Sequence, residues 1–270
     1  MLSVAIIGRD EANTIGATLQ SVSPYAEEIV FIDTGSKDET PQIAESYGAQ
    51  VKQFEWCDDF SAARNAGVKS CSGKWILSID CDEILRPLPQ FDHFLKSLEN
   101  NERTLGYTVE ISSHLPNGVT DSHHDIRLFR NLPNITYQNP IHESVSGSIY
   151  QLRPEEPIGP AGFLIEHYGY ASSERNHEKL SRNLKILRRW IQEHPDEPFA
   201  WYKLGMTLKA VSSAEYTAYL FRSFEILLVR EDRNSFAFRF ELLQALVDSL
   251  KSVDQRLSQI VQSQGIRAFA

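Results

Sequence analysis

The sequence predicts an α/β fold: a mainly parallel sheet with helices on both faces, followed by an α-helical appendage. Three observations carry this. Strand-like and helix-like segments alternate from residue 1 to about 98, the pattern of a parallel sheet covered on both sides. From about 104 to 170, short strand-like pieces are separated by His-, Asn- and Pro-rich stretches, which read as the rest of the same domain. From about 174 the apolar spacing is helical and strand signals are absent. The expected division is 1–172 for the sheet domain and 173–270 for the helices.

The elements follow in order. Leu2–Ile7 is a short apolar run, hence a buried strand, and Ile15, Leu19 and Val22 recur at helical spacing. Glu28–Ile32 is the second strand. Thr40 can cap the next helix, with Pro41 at its first position and Gly48 past its end. Val51–Phe54 is a third strand. Ser61 can cap a helix through Val68, which Gly73 would close. Trp75–Ile79 is the fourth strand, and Phe91, Phe94, Leu95 and Leu98 form a helical stripe. Gly106–Ser112, Ile126–Phe129 and Phe163–Ile165 are further strand pieces. In the helical part, Leu180, Leu184, Leu187 and Ile191 form a stripe ended by Pro195, and Ala200–Lys209 with Ala214–Leu228 form a helix pair.

Composition narrows the class. Of 270 residues, 41% are apolar and 23% charged, enough for a sizeable core. The net charge of −9 lacks the basic surplus of a nucleic-acid binder, so no nucleic-acid partner is expected. Three cysteines, Cys57, Cys71 and Cys81, are odd in number and lack CxxC spacing, which favours neither a disulfide framework nor a zinc site. MLSVAIIG lacks the basic flank of a secretory signal, and no apolar run reaches the ~18 residues of a membrane helix. A cytoplasmic protein, peripheral at most to the inner face of a membrane, is expected.

Ligands of parallel α/β sheets sit beyond the carboxyl ends of the strands. Three such ends are polar here: Arg9-Asp10-Glu11, Asp33-Thr34-Gly35-Ser36 and Asp80-Cys81-Asp82-Glu83. Asp80 and Asp82 lie one residue apart after an apolar strand, so both point to one side and can converge on a hard divalent cation. The plainer reading is an acidic turn that caps the next helix. Asp33 can accept hydrogen bonds from a nucleobase or ribose, or simply belong to a cap-rich loop. Arg64, near the start of a helix, suits a diphosphate bidentately, and equally suits a helix surface. His167 follows an apolar strand and can complete a metal shell or be satisfied by backbone. His123 and His124 are neighbours whose side chains would diverge on a strand, and they read as polar loop groups.

Taken together, LSVAIIGRDEANTI, EEIVFIDTGSKDET, FSAARNAGVKSCSGKWILSIDCDE, IRLFRN, IHESV and IEHYGY resemble the family 2 glycosyltransferases of the GT-A fold. The resemblance spans roughly residues 1 to 170, and it is the set of motifs that is specific. It is nearest to the branch with a tetratricopeptide-like tail, where Trp201, Leu204, Gly205 and Leu208 match W-x-x-L-G. The resemblance implies a nucleotide-sugar donor, UDP-sugar favoured, and a Mg²⁺ or Mn²⁺ cofactor. Asp33 would contact the nucleoside, Asp80 the ribose and metal, and Asp82 would be the principal metal ligand. Arg9, Glu11 and Arg64 join the donor-binding set. Asp33-Thr34 and Arg9-Asp10 stand where relatives more often carry Asp-Asp and Lys-Asn. An inverting transfer needs a carboxylate base, for which Glu143 in NPIHESV is the first choice and Asp125 in HHDIRLFR the rival. His142 would orient that base, touch the phosphates, or be a loop residue.

Two other classes compete. A sugar-phosphate nucleotidyltransferase would show a Gly-rich basic loop after strand one, where IGRDEAN has a single Gly. A helical-repeat interaction protein on an inactive enzyme domain would bind no nucleotide. One repeat unit cannot bury its own apolar face, so docking or a homodimer through the tail is expected. The acceptor, whether glycan, lipid-linked sugar or peptide, is not legible.

Overall fold

A computed structural model describes residues 1–114, 119–155, 158–168, 173–251 and 253–270. Gly169 and Tyr170 of the IEHYGY motif, and Ser172 at the expected domain boundary, lie outside these residues. The described chain forms two compact units, Met1–Asn176 and His177–Ala270.

The first unit is built on one eight-stranded sheet, in which β1 (Leu2–Gly8), β2 (Glu28–Asp33), β3 (Gln50–Gln53) and β4 (Trp75–Asp80) are parallel in the order β3-β2-β1-β4. The sheet continues through β7 (Thr120–Arg130), β6 (Gly106–His114), β8 (Gly159–His167) and β5 (Glu83–Pro87). β7 runs antiparallel to β4 and β6, β8 parallel to β6, and β5 antiparallel to β8. The apolar run of β4 gives way at Cys81-Asp82, and the chain re-enters the sheet as β5 at its far edge.

Both faces of the sheet are covered, which explains the near-continuous apolar strands. On one face, α1 (Ile15–Val22), α2 (Thr40–Ser46) and α4 (Phe91–Asn100) pack Ile15, Leu19, Ala44, Phe91 and Leu98 onto Val4, Ile6, Phe31 and Leu77. On the other, α3 (Phe60–Ser70) and α5 (Ser146–Leu152) place Val68 and Ile149 against Ala5, Val30, Ile32 and Ile76.

Several expectations are corrected. Asp59, not Ser61, caps α3: its backbone is extended and its carboxylate accepts the Ala62 N–H, while the Ser61 hydroxyl turns to the same carboxylate at 2.8 Å. Thr40 is the first residue of α2 rather than its cap, because its hydroxyl accepts the Glu11 N–H at 2.7 Å. Gly48, at φ +81°, does turn the chain just past α2. His123 and His124 are not loop residues but lie in β7, which is longer than its apolar part alone indicates.

The second unit contains α7 (Pro198–Ala210), α8 (Tyr216–Val229), α9 (Arg239–Lys251) and α10 (Gln255–Phe269), with α6 (Ser173–Glu193) bridging the division. Its core holds Tyr202, Leu220, Phe224, Leu227, Leu242, Leu246, Val261 and Phe269. Leu204, Gly205 and Leu208 are buried, and a Cβ on Gly205 would lie 2.7 Å from Leu220, so α7 and α8 approach closely there. In α6 the buried stripe is Ile186, Leu187 and Trp190, which shares only Leu187 with the expected one. No helix among the described residues is long and apolar enough to cross a membrane.

Candidate active site

The carboxyl ends of β1, β2 and β4 meet, as the strand order requires, and their three loops are tied together. After β2, Asp33 is buried and its carboxylate accepts the Ser36 N–H at 2.9 Å across a turn that Gly35 makes at φ +104°. The Ser36 hydroxyl accepts the Asp10 N–H at 3.0 Å, and Asp10 accepts the Lys37 N–H at 2.7 Å. Asp10 holds a left-handed backbone at φ 57°, which turns the chain out of β1 toward this loop. Glu11 accepts the Thr14 hydroxyl at 2.8 Å, and its charge acts on the Cys81 thiol together with those of Asp80 and Asp82. Arg9 is half-exposed beside Asp10 at 3.7 Å.

The next layer is a chain of charges at the end of β4. α3 presents Arg64, whose Nη2 lies 2.8 Å from Asp80 and whose Nε donates to Glu143 at 2.7 Å. Nη1 donates to the Ser78 hydroxyl at 3.2 Å, and the guanidinium sits 5.5 Å from the Tyr137 ring. Arg64 thus joins the strand-end carboxylate to the loop carboxylate through its fork. Arg127 on β7 donates to Glu83 at 3.1 Å, lies 3.8 Å from Asp80 and pairs with Asp125 at 3.2 Å. Burial alone would raise the Asp80 carboxyl, but the Arg64 and Arg127 guanidiniums bring it down to about 2. Burial pushes Glu83 up to about 7 against the pull of Arg127, with Asp80 adding to the rise.

Beyond the turn, His167 ends β8 with Nε2 3.5 Å from Asp82. Ser113 on β6 stands behind it, 3.3 Å from Nδ1, as the β6–β8 register dictates. Burial would lower His167, but the hydrogen bond and charge of Asp82 lift it above the ordinary histidine value. The Tyr168 N–H donates to the Asp82 carbonyl at 3.0 Å, fastening the turn to β8.

The structure therefore brings Arg64, Asp80 and Glu143 together, sets Asp82 against His167, and links Asp125 through Arg127. Arg9 and Asp33 lie at the same end of the sheet and make none of these contacts. His142 precedes Glu143 at φ 54° and is exposed. Sequence reasoning missed Glu83 as a partner, and with it Arg127, Ser78 and Ser113. The available signal was Arg127 itself, a charge inside the apolar run Ile126–Phe129, which in a buried strand demands a partner.

A divalent cation fits the donor set at Asp82 and His167. One carboxylate and one imidazole suit Mn²⁺, and the Ser113 contact at Nδ1 leaves Nε2 as the ligating nitrogen. Asp80 is engaged by two guanidiniums, Arg64 at 2.8 Å and Arg127 at 3.8 Å. Among the described residues no group of three or more His, Cys, Asp or Glu gathers as a cage, so most of the shell would come from the substrate and water.

The sheet order, with helices covering both faces, is that of the GT-A fold. Residues 3–154, more than half of the 270, match glycosyl transferase family 2, and the chain belongs to that family. A TPR repeat-containing protein of Synechococcus elongatus is 35% identical over 210 residues, covering 76% of this chain and 51% of that protein. The prophage-derived glycosyltransferase SunS of Bacillus subtilis is 24% identical over 226 residues, covering 79% and 50%. The chain thus spans about half the length of these curated relatives. The crystal structure of S. aureus TarS 1–349 in complex with UDP-GlcNAc shares the fold at TM-score 0.51 and 14% identity, covering 99% of this chain and 89% of that one.

Proposed function

We propose that the protein is an inverting hexosyltransferase that moves a sugar from a nucleoside diphosphate, UDP favoured, to an acceptor hydroxyl or thiol with help from Mn²⁺ or Mg²⁺. The observation that carries the reading is the charge balance at the end of β4. Among the described residues, the carboxylates Asp80, Asp82, Glu83, Asp125 and Glu143 gather around the Arg64 and Arg127 guanidiniums and the His167 imidazole, an excess of acidic groups. A diphosphate meets net repulsion there unless a cation accompanies it. When bound, the cation neutralises the diphosphate and stabilises it as it departs. Asp82 and His167 would hold that cation. Asp33 and Glu11, on the interlocked loops of β1 and β2, would face the nucleoside, and Arg9 and Arg64 would add positive charge at the donor.

The acceptor oxygen or sulfur attacks the anomeric carbon as the bond to the diphosphate breaks, and its proton passes to Glu143. Glu143 is favoured over Asp125 by the use of their oxygens. Asp125 accepts its own neighbour's Ile126 N–H at one oxygen and is ion-paired with the Arg127 Nε, 3.2 Å away, at the other. The contacts on Glu143 among the described residues fall on Oε1. The helical unit, with its buried Leu204-Gly205 pair, would be a tetratricopeptide-like surface for acceptor or partner.

The test is thermal unfolding with a panel of nucleoside diphosphates, with and without Mn²⁺, since a ligand of the native state raises the melting temperature. A rise with UDP that requires Mn²⁺, together with release of UDP from a UDP-hexose, is expected. No shift with any nucleoside diphosphate contradicts the proposal.

A further inference from the structure

We propose that Arg127 and Glu83 are positioning residues of the donor site, whose buried ion pair shapes the Asp80–Asp82 turn and holds Asp80 and Asp125 in place. This rests on the donor reading above. Glu83 is 2% exposed and Arg127 11% exposed in their side chains. One oxygen of Glu83 accepts the Arg127 Nη2–H at 3.1 Å, and the other accepts the Asp80 N–H at 2.8 Å. A single carboxylate therefore closes the turn from within and joins it to β7. Arg127 extends the link, with Nη2 3.8 Å from Asp80 and Nε 3.2 Å from Asp125.

A second observation, in the backbone, is independent of these contacts. Along the β6–β7 ladder, Tyr107 pairs with Leu128 but Thr108 pairs with Ile126, so Arg127 is the extra residue of a β-bulge. The bulge shows in the packing: Ile126 joins the core on one face of the sheet and Leu128 the core on the other. In a regular strand residues two apart share a face. The bulge lies one residue beyond the last β4–β7 pair, Leu77 with Leu128, where the two strands part before β4 ends at Asp80. A buried ion pair is seldom more stabilising than apolar side chains of the same size. Stability alone does not account for a bulge that aims a charge at this turn.

The test compares the wild type with the double variant Glu83→Gln/Arg127→Met, which removes both charges and strands neither, and with Arg127→Lys, which keeps the charge but loses the fork. Hydrogen exchange over residues 78–84, titration of UDP in the presence of Mn²⁺ and the unfolding midpoint are read for each. In the double variant, exchange over 78–84 accelerates while β1 and β2 stay protected, and UDP binding weakens about 10–100-fold. Arg127→Lys keeps the wild-type midpoint but shows the same weakened binding, which a merely structural role would not produce. It carries the test alone if the double variant does not fold. Wild-type binding in Arg127→Lys, or unchanged exchange in a folded double variant, overturns the positioning role. A wild type that takes up no nucleoside diphosphate overturns the donor reading itself and this inference with it.

Discussion

At the residue scale, the site is organised by arginines rather than by the carboxylates that first draw the eye. Arg64 holds Asp80 through Nη2 and Glu143 through the neighbouring Nε of one guanidinium, a use of the planar fork that lysine could not reproduce. That geometry assigns separate work to the two carboxylates. Replacing Glu143 by Gln should therefore lower turnover by about 10²–10⁴-fold while UDP binding with Mn²⁺ is kept, and Asp125→Asn should cost far less. Steady-state release of UDP and calorimetric titration separate these effects, and full activity in Glu143→Gln would refute the assignment. Asp80, Asp82 and His167 were legible as candidates because polar residues at the ends of apolar strands stand out, Arg64 because it falls near a helix start, and Glu143 only through the family resemblance. Their pairing was not legible, since Arg64 meets Glu143 across 79 residues of sequence. Glu83 was hidden for another reason: an acidic residue next to a polar turn gives no sign that it is buried.

At the element scale, strand ends and loop ties set the site's shape. Gly8, the last residue of β1, leaves room for Cys81, since a Cβ there would lie 2.3 Å from the Cys81 sulfur. Gly8→Ala should lower stability by about 1–3 kcal/mol through overpacking, and Cys81→Ala added to it should recover most of that loss. Urea unfolding of the two single variants and the double variant measures this coupling, and additive losses would contradict the contact. At the opposite end of the sheet, Glu28 ties the start of β2 to Ser3 on β1 and to the Ser72 N–H, 2.7 Å away, before β4. Burial works against the charged form, but these hydrogen bonds hold Glu28 below its ordinary value of 4.5. A lowered carboxylate stabilises the fold above its unfolded value and loses that contribution as pH falls through the folded one. Glu28→Gln should therefore cost about 1 kcal/mol at neutral pH, with the gap to wild type closing as pH falls below 4.5. Thermal melts across that range test it, and a pH-independent gap would be the contrary result. The search for apolar runs revealed β1, β2 and β4, which are buried, and the shorter, largely polar β3. It missed β5, whose five residues include Arg86 and Pro87 and whose partner β8 is distant in sequence. Nothing local announces that the chain changes partners across two residues.

At the scale of the whole molecule, the fold class and the helical tail were readable from period alone; family membership over residues 3–154 agrees with the first, and α7 to α10 agree with the second. The extent of the tail was less readable: α9 and α10 pack Leu242, Leu246, Val261 and Phe269 with α8, but their sequences carry no motif as clear as Trp201-x-x-Leu204-Gly205. On the proposed function, a protein of net charge −9 would place its few positive charges, and a cation, where the donor diphosphate lies. The central claim is that Asp82 and His167 hold that cation and the cation holds the pyrophosphate. Calorimetric titration of UDP into wild type and Asp82→Ala, each with and without Mn²⁺, tests it most directly. Binding by the wild type is expected to depend on Mn²⁺ and to be lost in Asp82→Ala, whose unfolding midpoint stays near the wild-type value. Equal UDP binding by both proteins, with or without the metal, would contradict it.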